Sequence, residues 1–275
     1  RDEVRAFLDE KLTPDLRRAG RLATSVYSDH EASMEWQRIL HERGWAAPAW
    51  PVEHGGCDWT QTQHYIFGRE SILAGAPSLS PMGIRMVAHA IVAYGTQAQK
   101  DFFLPGILTG DVFFCQGYSE PEAGSDLASL SMAAVHDGDE LVVTGSKIWT
   151  THATEANWMF ALVRTTRTER KQQGITFLLI DMTSPGIEIR PLVMTSGEEV
   201  QNQVYFDRVR VPKENVLGEI DHGWSVAKYL LVFERGGAAA APALQVLAER
   251  IAVAATGQPG PAGRALVDDP AFAAR

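Results

Sequence analysis

The sequence predicts a multidomain α+β fold with a helical N-terminal domain, a middle antiparallel β domain and the start of a C-terminal helical bundle. Three observations predict this order. Apolar residues recur at helical spacing in the first part of the chain, alternate with polar residues in the middle part, and return to helical spacing near the end. We place the domains at residues 1–112, 113–223 and 224–275.

The N-terminal domain is expected to be all-α. Val4, Phe7, Leu8 and Leu12 share one helical face, which predicts a first helix. Residues 34–40 supply a second helix, and residues 60–73 supply a third.

Short strands are expected in the middle domain. Apolar, β-branched and aromatic residues cluster at 141–144, 158–163, 175–180 and 187–190. Turn residues at 137–138, 167–173 and 184–186 separate these clusters, as in a sheet joined by hairpins.

A helical pattern resumes at Trp224 and continues through Leu247 until a Gly- and Pro-rich segment at residues 256–263. The chain then stops at Arg275.

The composition indicates a globular protein and argues against membrane-spanning and nucleic-acid-binding functions. A chain of 275 residues with 45% hydrophobic content can bury a sizeable core. Its apolar runs fall short of the ~18 to 20 residues of a membrane span, and the N-terminus lacks an apolar signal core, so we expect a cytoplasmic protein without a membrane span. A net charge of -9 argues against nucleic-acid binding.

Two cofactor classes are disfavoured. Cys57 and Cys115 have no Cys/His spacing typical of zinc, so no metal site is expected. No Gly-x-Gly-x-x-Gly follows a predicted strand, so the sequence gives no support for a Rossmann dinucleotide site.

Two neighbouring segments predict a flavin pocket. Residues 115–126 (CQGYSEPEAGSD) form a turn-rich loop with short hydrogen-bonding side chains. Residues 145–151 (GSKIWTT) form a β-type segment in which Trp149 and Thr151 share a strand face, so that an aromatic cover and a hydroxyl stand together. An ordinary loop beside a core Trp is the alternative for either segment taken alone.

With these segments the chain closely resembles the acyl-CoA dehydrogenase family of flavoproteins. Three further motifs carry the resemblance: residues 40–56 (LHERGWAAPAWPVEHGG), 95–111 (GTQAQKDFFLPGILTGD) and 204–218 (VYFDRVRVPKENVLG), followed by Gly223-Trp224. The motifs occur in the family's order along nearly the whole chain. In the family a four-helix C-terminal domain follows the β domain, so the resemblance implies that only the beginning of that domain is present and that the chain is truncated. The resemblance implies FAD as cofactor and an acyl-CoA thioester as substrate.

The resemblance also implies roles for single residues. Gln116, Tyr118 and Ser119 would meet the pyrimidine edge of the isoalloxazine, although the family commonly has Thr in place of Ser119 and an aromatic residue in place of Gln116. Trp149 would stack beside the ring, and the Thr151 hydroxyl would donate toward flavin N5. Ser125 would touch the nucleotide or CoA pyrophosphate side, unless it only caps a turn.

A catalytic base is also required, because the α-proton of a thioester must be removed. Glu234 and Arg235 match the Glu-Arg pair that isovaleryl- and long-chain-type members carry at the first helix of the C-terminal domain. By this resemblance Glu234 is the base and Arg235 contacts the CoA moiety. The alternative is a surface pair on a helix, with the base in sequence beyond residue 275.

The resemblance therefore implies α,β-dehydrogenation of an acyl-CoA to the 2,3-enoyl-CoA, as in lipid β-oxidation. It further implies an electron-transferring flavoprotein as acceptor and a homo- or heterotetramer. Two alternatives stay open. One is a non-catalytic partner subunit of a heteromeric dehydrogenase, and the other is a flavin oxidase or monooxygenase on the same fold.

Overall fold

The N-terminal part of the chain is helical, as the sequence predicts. The computed structural model describes residues 1–22, 29–234, 240–260 and 263–274. The first helical elements are α1 (Asp2–Lys11), α2 (Pro14–Leu22), α3 (His30–Arg43), α4 (Gln61–Ala74), a π-helix (Met82–Val87), α5 (Ala88–Tyr94) and α6 (Gln97–Thr109). The three predicted helices are confirmed as α1, α3 and α4.

Capping boxes fix the start of two of these helices. Thr60 and Gln63 exchange side-chain and backbone hydrogen bonds at the start of α4, and Thr96 and Gln99 do so at the start of α6. These bonds satisfy backbone donors that a helix leaves without intrahelical partners. The Gln99 side chain also donates to the carbonyl oxygen of Val216 at 3.0 Å, which joins α6 to the segment that follows the sheet.

Seven strands, all in described residues, form the predicted β domain. They are β1 (Phe114–Gly117), β2 (Ala133–Asp137), β3 (Glu140–Thr151), β4 (Trp158–Arg164), β5 (Ile175–Asp181), β6 (Ile187–Leu192) and β7 (Gln201–Pro212). The order is β1-β4-β2-β3-β7-β6, with β5 paired to β4. Most pairs are antiparallel, but β1 pairs with β4 in parallel, because the chain reaches β4 through β2 and β3 instead of a hairpin.

The two faces of the sheet belong to different apolar clusters. Phe114 and Tyr118 lie with Ile91 of α5 in one cluster, whereas Cys115 lies with Val143 in the other. This division follows from the alternation of side chains along a strand. We call the face with Phe114 and Tyr118 the helix-covered face.

The predicted C-terminal helical pattern appears as α7 (Gly223–Glu234) and α8 (Ala240–Thr256), followed by α9 (Pro270–Ala273). Residues 235–239 lie outside the described part. The chain divides into one compact unit of Arg1–Arg21, Trp59–Ala76 and Gly237–Arg275, and a second of Leu22–Asp58 and Pro77–Gly236. Within the second unit, α7 packs on β5, the π-helix and α5.

The start of α7 has no room for a side chain. A Cβ on Gly223 would collide with the backbone nitrogen of Phe177 in β5. We expect Gly223→Ala to lower the free energy of unfolding by about 1 to 3 kcal/mol, because overpacking forces the helix away from the strand. Urea unfolding measures this loss.

Gly68 in α4 is the matched control, because its Cβ would meet no described atom within 4 Å. Gly68→Ala should leave stability unchanged or raise it by up to about 1 kcal/mol. Equal stability of the Gly223→Ala variant and the wild type would contradict this close approach.

The described residues lack the patterns expected of membrane-spanning helices, metal sites and disulfides. Among the described helices, none is both long and apolar enough to cross a membrane. The described His, Cys, Asp and Glu residues include no group of three or more placed to hold a metal ion. Cys57 and Cys115 are free thiols.

Candidate functional site

The two segments that predict a flavin pocket are hydrogen-bonded to each other. The backbone nitrogen of Ile148 in β3 donates to the carbonyl oxygen of Ser119 at 2.9 Å. Ser119 lies two residues after the end of β1 at Gly117, and it is half-buried. The structure therefore brings the start of the loop after β1 beside the part of β3 that contains Trp149 and Thr151.

A buried ion pair holds the same two segments together. The Lys147 ammonium, which is fully buried, donates to a carboxylate oxygen of Glu120 at 2.8 Å and to the carbonyl oxygen of Tyr118 at 3.1 Å. Glu120 also accepts from the backbone nitrogens of Ser131 and Met132. One carboxylate thus fastens both ends of the loop between β1 and β2 to β3.

The ionisation of this pair follows from burial and mutual attraction. Burial lowers the pKa of Lys147 to about 8, although the Glu120 carboxylate opposes the change. Burial would raise the pKa of Glu120, but the Lys147 charge and the donated hydrogen bonds outweigh burial and lower it. Both groups are charged at neutral pH.

A bulge in β3 sets the direction of the Trp149 side chain. Lys147 pairs with Val204 and Thr150 pairs with Asn202, so two residues of β3, Ile148 and Trp149, oppose a single residue of β7. Trp149 has a φ of 61°, which is strained for a bulky side chain, and its ring is 58% exposed. Strain of this kind is frequent at ligand sites.

Thr151 lies on the same side of β3 as Trp149, since the register continues with Thr151 opposite Gln201. The Gln201 amide nitrogen donates to the Thr151 hydroxyl at 3.0 Å. The geometry also allows the Thr151 hydroxyl to donate to the Gln201 amide oxygen at 3.2 Å. Because a hydroxyl rotates, it can accept from Gln201 and give its proton to a ligand instead.

The polar atoms of these segments suit a flavin. Gln116, Ser119 and Thr151 combine donors and acceptors, which the nitrogen and oxygen atoms of an isoalloxazine need. The exposed Trp149 ring supplies an apolar cover beside them. The residues present therefore fit the cofactor that the resemblance implies.

Glu234 lines a cavity of about 350 Å³ at the end of α7. Gln116 reaches the same cavity from β1, which connects the predicted flavin segment to the predicted base. The other residues around the cavity are mainly apolar: Ser78, Leu79, Pro81, Met82, Arg85, Met86 and Phe233. Much of this wall is the π-helix, an element frequent at functional sites.

Phe233 holds the end of α7 against α5. Its ring stacks on the His89 imidazole with 4.0 Å between centroids and an interplanar angle of 5°. Burial lowers the pKa of His89, which favours the neutral ring. The residue before Glu234 is thereby fixed, while the Glu234 side chain itself is exposed.

For two predicted site residues the structure gives no contact with the others. Ser125 is exposed in the loop between β1 and β2. Arg235, predicted to contact CoA, lies outside the described residues.

Sequence reasoning did not single out Glu120, Lys147 or the π-helix. A signal for Lys147 was present, because its position has the same parity in β3 as Leu141 and Val143, which are fully buried. A lysine on the buried face of a strand needs a partner, and the nearby motif contains Glu120. No comparable signal marks the π-helix, which resembles an ordinary apolar helix in sequence.

Comparison with protein families gives two matches. The family described as acyl-CoA dehydrogenase, N-terminal domain, matches residues 1–111, and the family described as acyl-CoA dehydrogenase, middle domain, matches residues 115–209. The acyl-CoA dehydrogenase IpdE1 of Mycobacterium tuberculosis (strain ATCC 25618 / H37Rv) is 37% identical over 240 residues, or 86% of this chain. The chain spans 62% of that relative's length.

Solved structures show the same similarity. The Tcur3481-Tcur3483 steroid ACAD G363A variant is 36% identical with a TM-score of 0.81, covering 93% of this chain and 66% of that chain. The ChsE4-ChsE5 complex from Mycobacterium tuberculosis is 35% identical with a TM-score of 0.79, covering 98% of this chain and 68% of that chain.

Proposed function

Because this chain belongs to the acyl-CoA dehydrogenase family, we propose that the protein oxidises an acyl-CoA thioester to the 2,3-enoyl-CoA with FAD as cofactor. One observation carries the proposal most strongly. Gln116, in the segment predicted to bind flavin, lines the same cavity as Glu234, the predicted base. A base and a hydride acceptor must meet at adjacent carbons of one substrate, and this cavity provides such a place.

FAD would be held by the two joined segments. Gln116, Tyr118 and Ser119 would face the pyrimidine edge, Trp149 would cover the ring, and Thr151 would donate toward N5. When bound, FAD supplies the N5 atom that accepts the hydride leaving the β-carbon. The Ile148-to-Ser119 hydrogen bond supports this role, because it keeps the two sets of ligands in fixed register.

Glu234 would take the proton from the α-carbon. The carboxylate takes the α-proton, and the β-hydrogen leaves as a hydride with its electron pair. The electron pair of the broken α-C–H bond then forms the double bond between the α- and β-carbons. The apolar side chains of Leu79, Met82 and Met86 line the cavity and would keep water from the acyl chain. Ser125 and Arg235 are proposed to contact the pyrophosphate and CoA parts of the ligands.

The reaction itself is tested by mass spectrometry. The purified protein, loaded with FAD, is incubated with straight-chain, branched and steroid acyl-CoA thioesters and an artificial electron acceptor. We expect a product lacking two hydrogen atoms from at least one thioester. Hydrogen peroxide formation coupled to dioxygen consumption would instead identify an oxidase on the same fold.

Thr151→Val tests the flavin contact. The substitution keeps the shape and removes the hydroxyl, so single-turnover flavin reduction should slow by at least about tenfold while the fold is retained. Stopped-flow absorbance measures the rate, and circular dichroism checks the fold. Thr144→Val, at an exposed position of the same strand, is the control, and its flavin should be reduced as fast as that of the wild type.

An unchanged reduction rate in Thr151→Val would show that Thr151 is only a strand residue. Its hydrogen bonds with Gln201 would then account for its position.

The proposal extends to partners. An electron-transferring flavoprotein would reoxidise the cofactor, and the assembly would be a tetramer. The similar Tcur3481-Tcur3483 and ChsE4-ChsE5 structures bear names of two components, which favours a heterotetramer over a homotetramer. Native mass spectrometry of the protein co-expressed with candidate second subunits distinguishes the two assemblies.

Because these names have two components, a second candidate function is that of a non-catalytic subunit of a heteromeric dehydrogenase. Such a subunit would not need both a complete flavin segment and a base at one cavity. The joint presence of Gln116, Ser119, Thr151 and Glu234 therefore favours the catalytic role.

A further inference from the structure

Tyr118 belongs to a segment proposed to contact the flavin, but its side chain is buried on the helix-covered face of the sheet. Tyr118 is 7% exposed, and its hydroxyl oxygen has no hydrogen-bond partner among the described residues. Its ring is held edge-on against Phe160 and Phe177, with centroids at 5.7 and 6.3 Å. A buried tyrosine hydroxyl usually has a partner, so this one is placed to receive one.

The position of Tyr118 shows which group can reach it. Phe114, Gln116 and Tyr118 alternate onto one side of the chain at β1, and both Phe114 and Tyr118 belong to the cluster that contains Leu230 of α7. Gln116, between them, lines the cavity with Glu234. Glu234 follows Leu230 by four residues, one helical turn on the same face of α7. Burial, followed by the Glu234 charge, raises the pKa of Tyr118, which agrees with this placement.

We propose that Tyr118 is a positioning residue whose hydroxyl donates a hydrogen bond to the Glu234 carboxylate and holds it toward the cavity. The inference rests on the proposed role of Glu234 as the base. The bond is not made in the structure, where the Glu234 side chain is exposed and the Tyr118 hydroxyl has no partner among the described residues, so the proposal requires the Glu234 side chain to turn toward the hydroxyl. The raised pKa of Tyr118 keeps its proton available for donation.

This bond would do two things for the base. It would restrict the exposed Glu234 side chain to one direction, and it would stabilise the ionised carboxylate that accepts the α-proton. The stack of Phe233 on His89 supports the geometry, because it fixes the backbone next to Glu234.

Other charged or titratable groups near Glu234 must be considered in any pH dependence. Arg85 of the π-helix lines the same cavity, and His89 of α5 stacks on the neighbouring Phe233. The remaining titratable groups on α7 and on the elements packed against it are Lys228, Tyr229, Tyr94, Arg164 and Asp181. None of these is changed by removing the Tyr118 hydroxyl.

The first test is Tyr118→Phe in the FAD-loaded protein, which keeps the ring packing and deletes one oxygen. Using the acyl-CoA that reduces the wild type fastest, we expect flavin reduction at saturation to slow about tenfold, with less than about twofold change in KM. The pH midpoint of reduction should rise by about one unit, because the carboxylate loses a donor. Tyr229→Phe, the same change on exposed α7 surface, should leave rate and midpoint unaltered.

The second test observes the bond without catalysis. Protein labelled with ¹³C at tyrosine Cζ is titrated by NMR, and the Tyr118 signal is assigned by its loss in Tyr118→Phe. Glu234→Gln should change the Tyr118 shift and lower its pKa, because the nearby negative charge is removed. Tyr229 should respond less.

The two tests distinguish the proposed role of Tyr118 from the proposed role of Glu234 as the base. An unchanged Tyr118 signal in Glu234→Gln, or an unchanged pH midpoint in Tyr118→Phe, overturns the role of Tyr118 even when Glu234→Gln is nearly inactive. Fast reduction by Glu234→Gln overturns the base assignment itself and the inference that rests on it.

Discussion

Glu234→Gln is expected to slow flavin reduction by the ~10²- to 10⁴-fold usually attributed to general base catalysis. The substitution keeps the volume of the side chain and its place at the cavity, but it removes the group that takes the α-proton. Thioester binding should barely change, because the proposed CoA contacts of Ser125 and Arg235 are left in place. Anaerobic stopped-flow absorbance measures reduction and binding in the same experiment.

Glu42→Gln is the matched control, since Glu42 is an exposed helical glutamate of α3. The flavin of Glu42→Gln should be reduced at the wild-type rate. A loss below about tenfold in Glu234→Gln, equivalent to less than ~1.4 kcal/mol of activation free energy, would remove Glu234 as the base. The base would then have to come from another part of the protein or from a partner subunit.

Lys147→Met is expected to lower the free energy of unfolding by about 3 to 5 kcal/mol, because it leaves the Glu120 carboxylate buried without its cation. Both side chains are at least nine-tenths buried, so solvent screens the pair little. Flavin binding should weaken as well, since the pair fastens the loop between β1 and β2 to β3. Urea unfolding and FAD titration measure the two effects.

An exposed pair that joins the same loop to the segment between β4 and β5 provides the comparison. Lys171 and Asp126 lie 2.6 Å apart, but their side chains are 60% and 58% exposed. Lys171→Met should therefore cost at most about 1 kcal/mol. The double variant Lys147→Met/Glu120→Gln should recover part of the loss of Lys147→Met, because no unpaired charge remains buried. Equal losses for Lys147→Met and Lys171→Met would contradict the structural role of the buried pair.

Much of the fold follows from local patterns in the sequence. The apolar spacing of Val4, Phe7 and Leu8 predicts α1, and those residues are buried in it. The hydrophobic runs of β4 and β5 predict strands, which lie fully paired in the sheet. The parallel pairing of β1 with β4 could not be predicted in this way, because it depends on contacts between residues far apart in sequence.

The residues of the candidate site were predictable from local motifs, but their geometry was not, because it depends on contacts between distant segments. The motifs at residues 115–126 and 145–151 indicate which residues meet a flavin, but not that Ile148 bonds Ser119 or that Trp149 lies in a bulge. Those features depend on register, which a single strand does not specify. The packing of α7 on the helix-covered face of the sheet, which places Leu230 in one cluster with Tyr118, is a tertiary contact without a sequence signal.

The central claim is that one cavity combines a flavin held by residues 116–119 and 149–151 with a base that acts on an acyl-CoA. The most direct test is the absorption spectrum of the purified protein, recorded anaerobically before and after acyl-CoA thioesters are added. We predict flavin bands that bleach when a thioester substrate is added. A colourless protein that does not bind FAD on reconstitution would contradict the claim and favour a non-catalytic partner subunit.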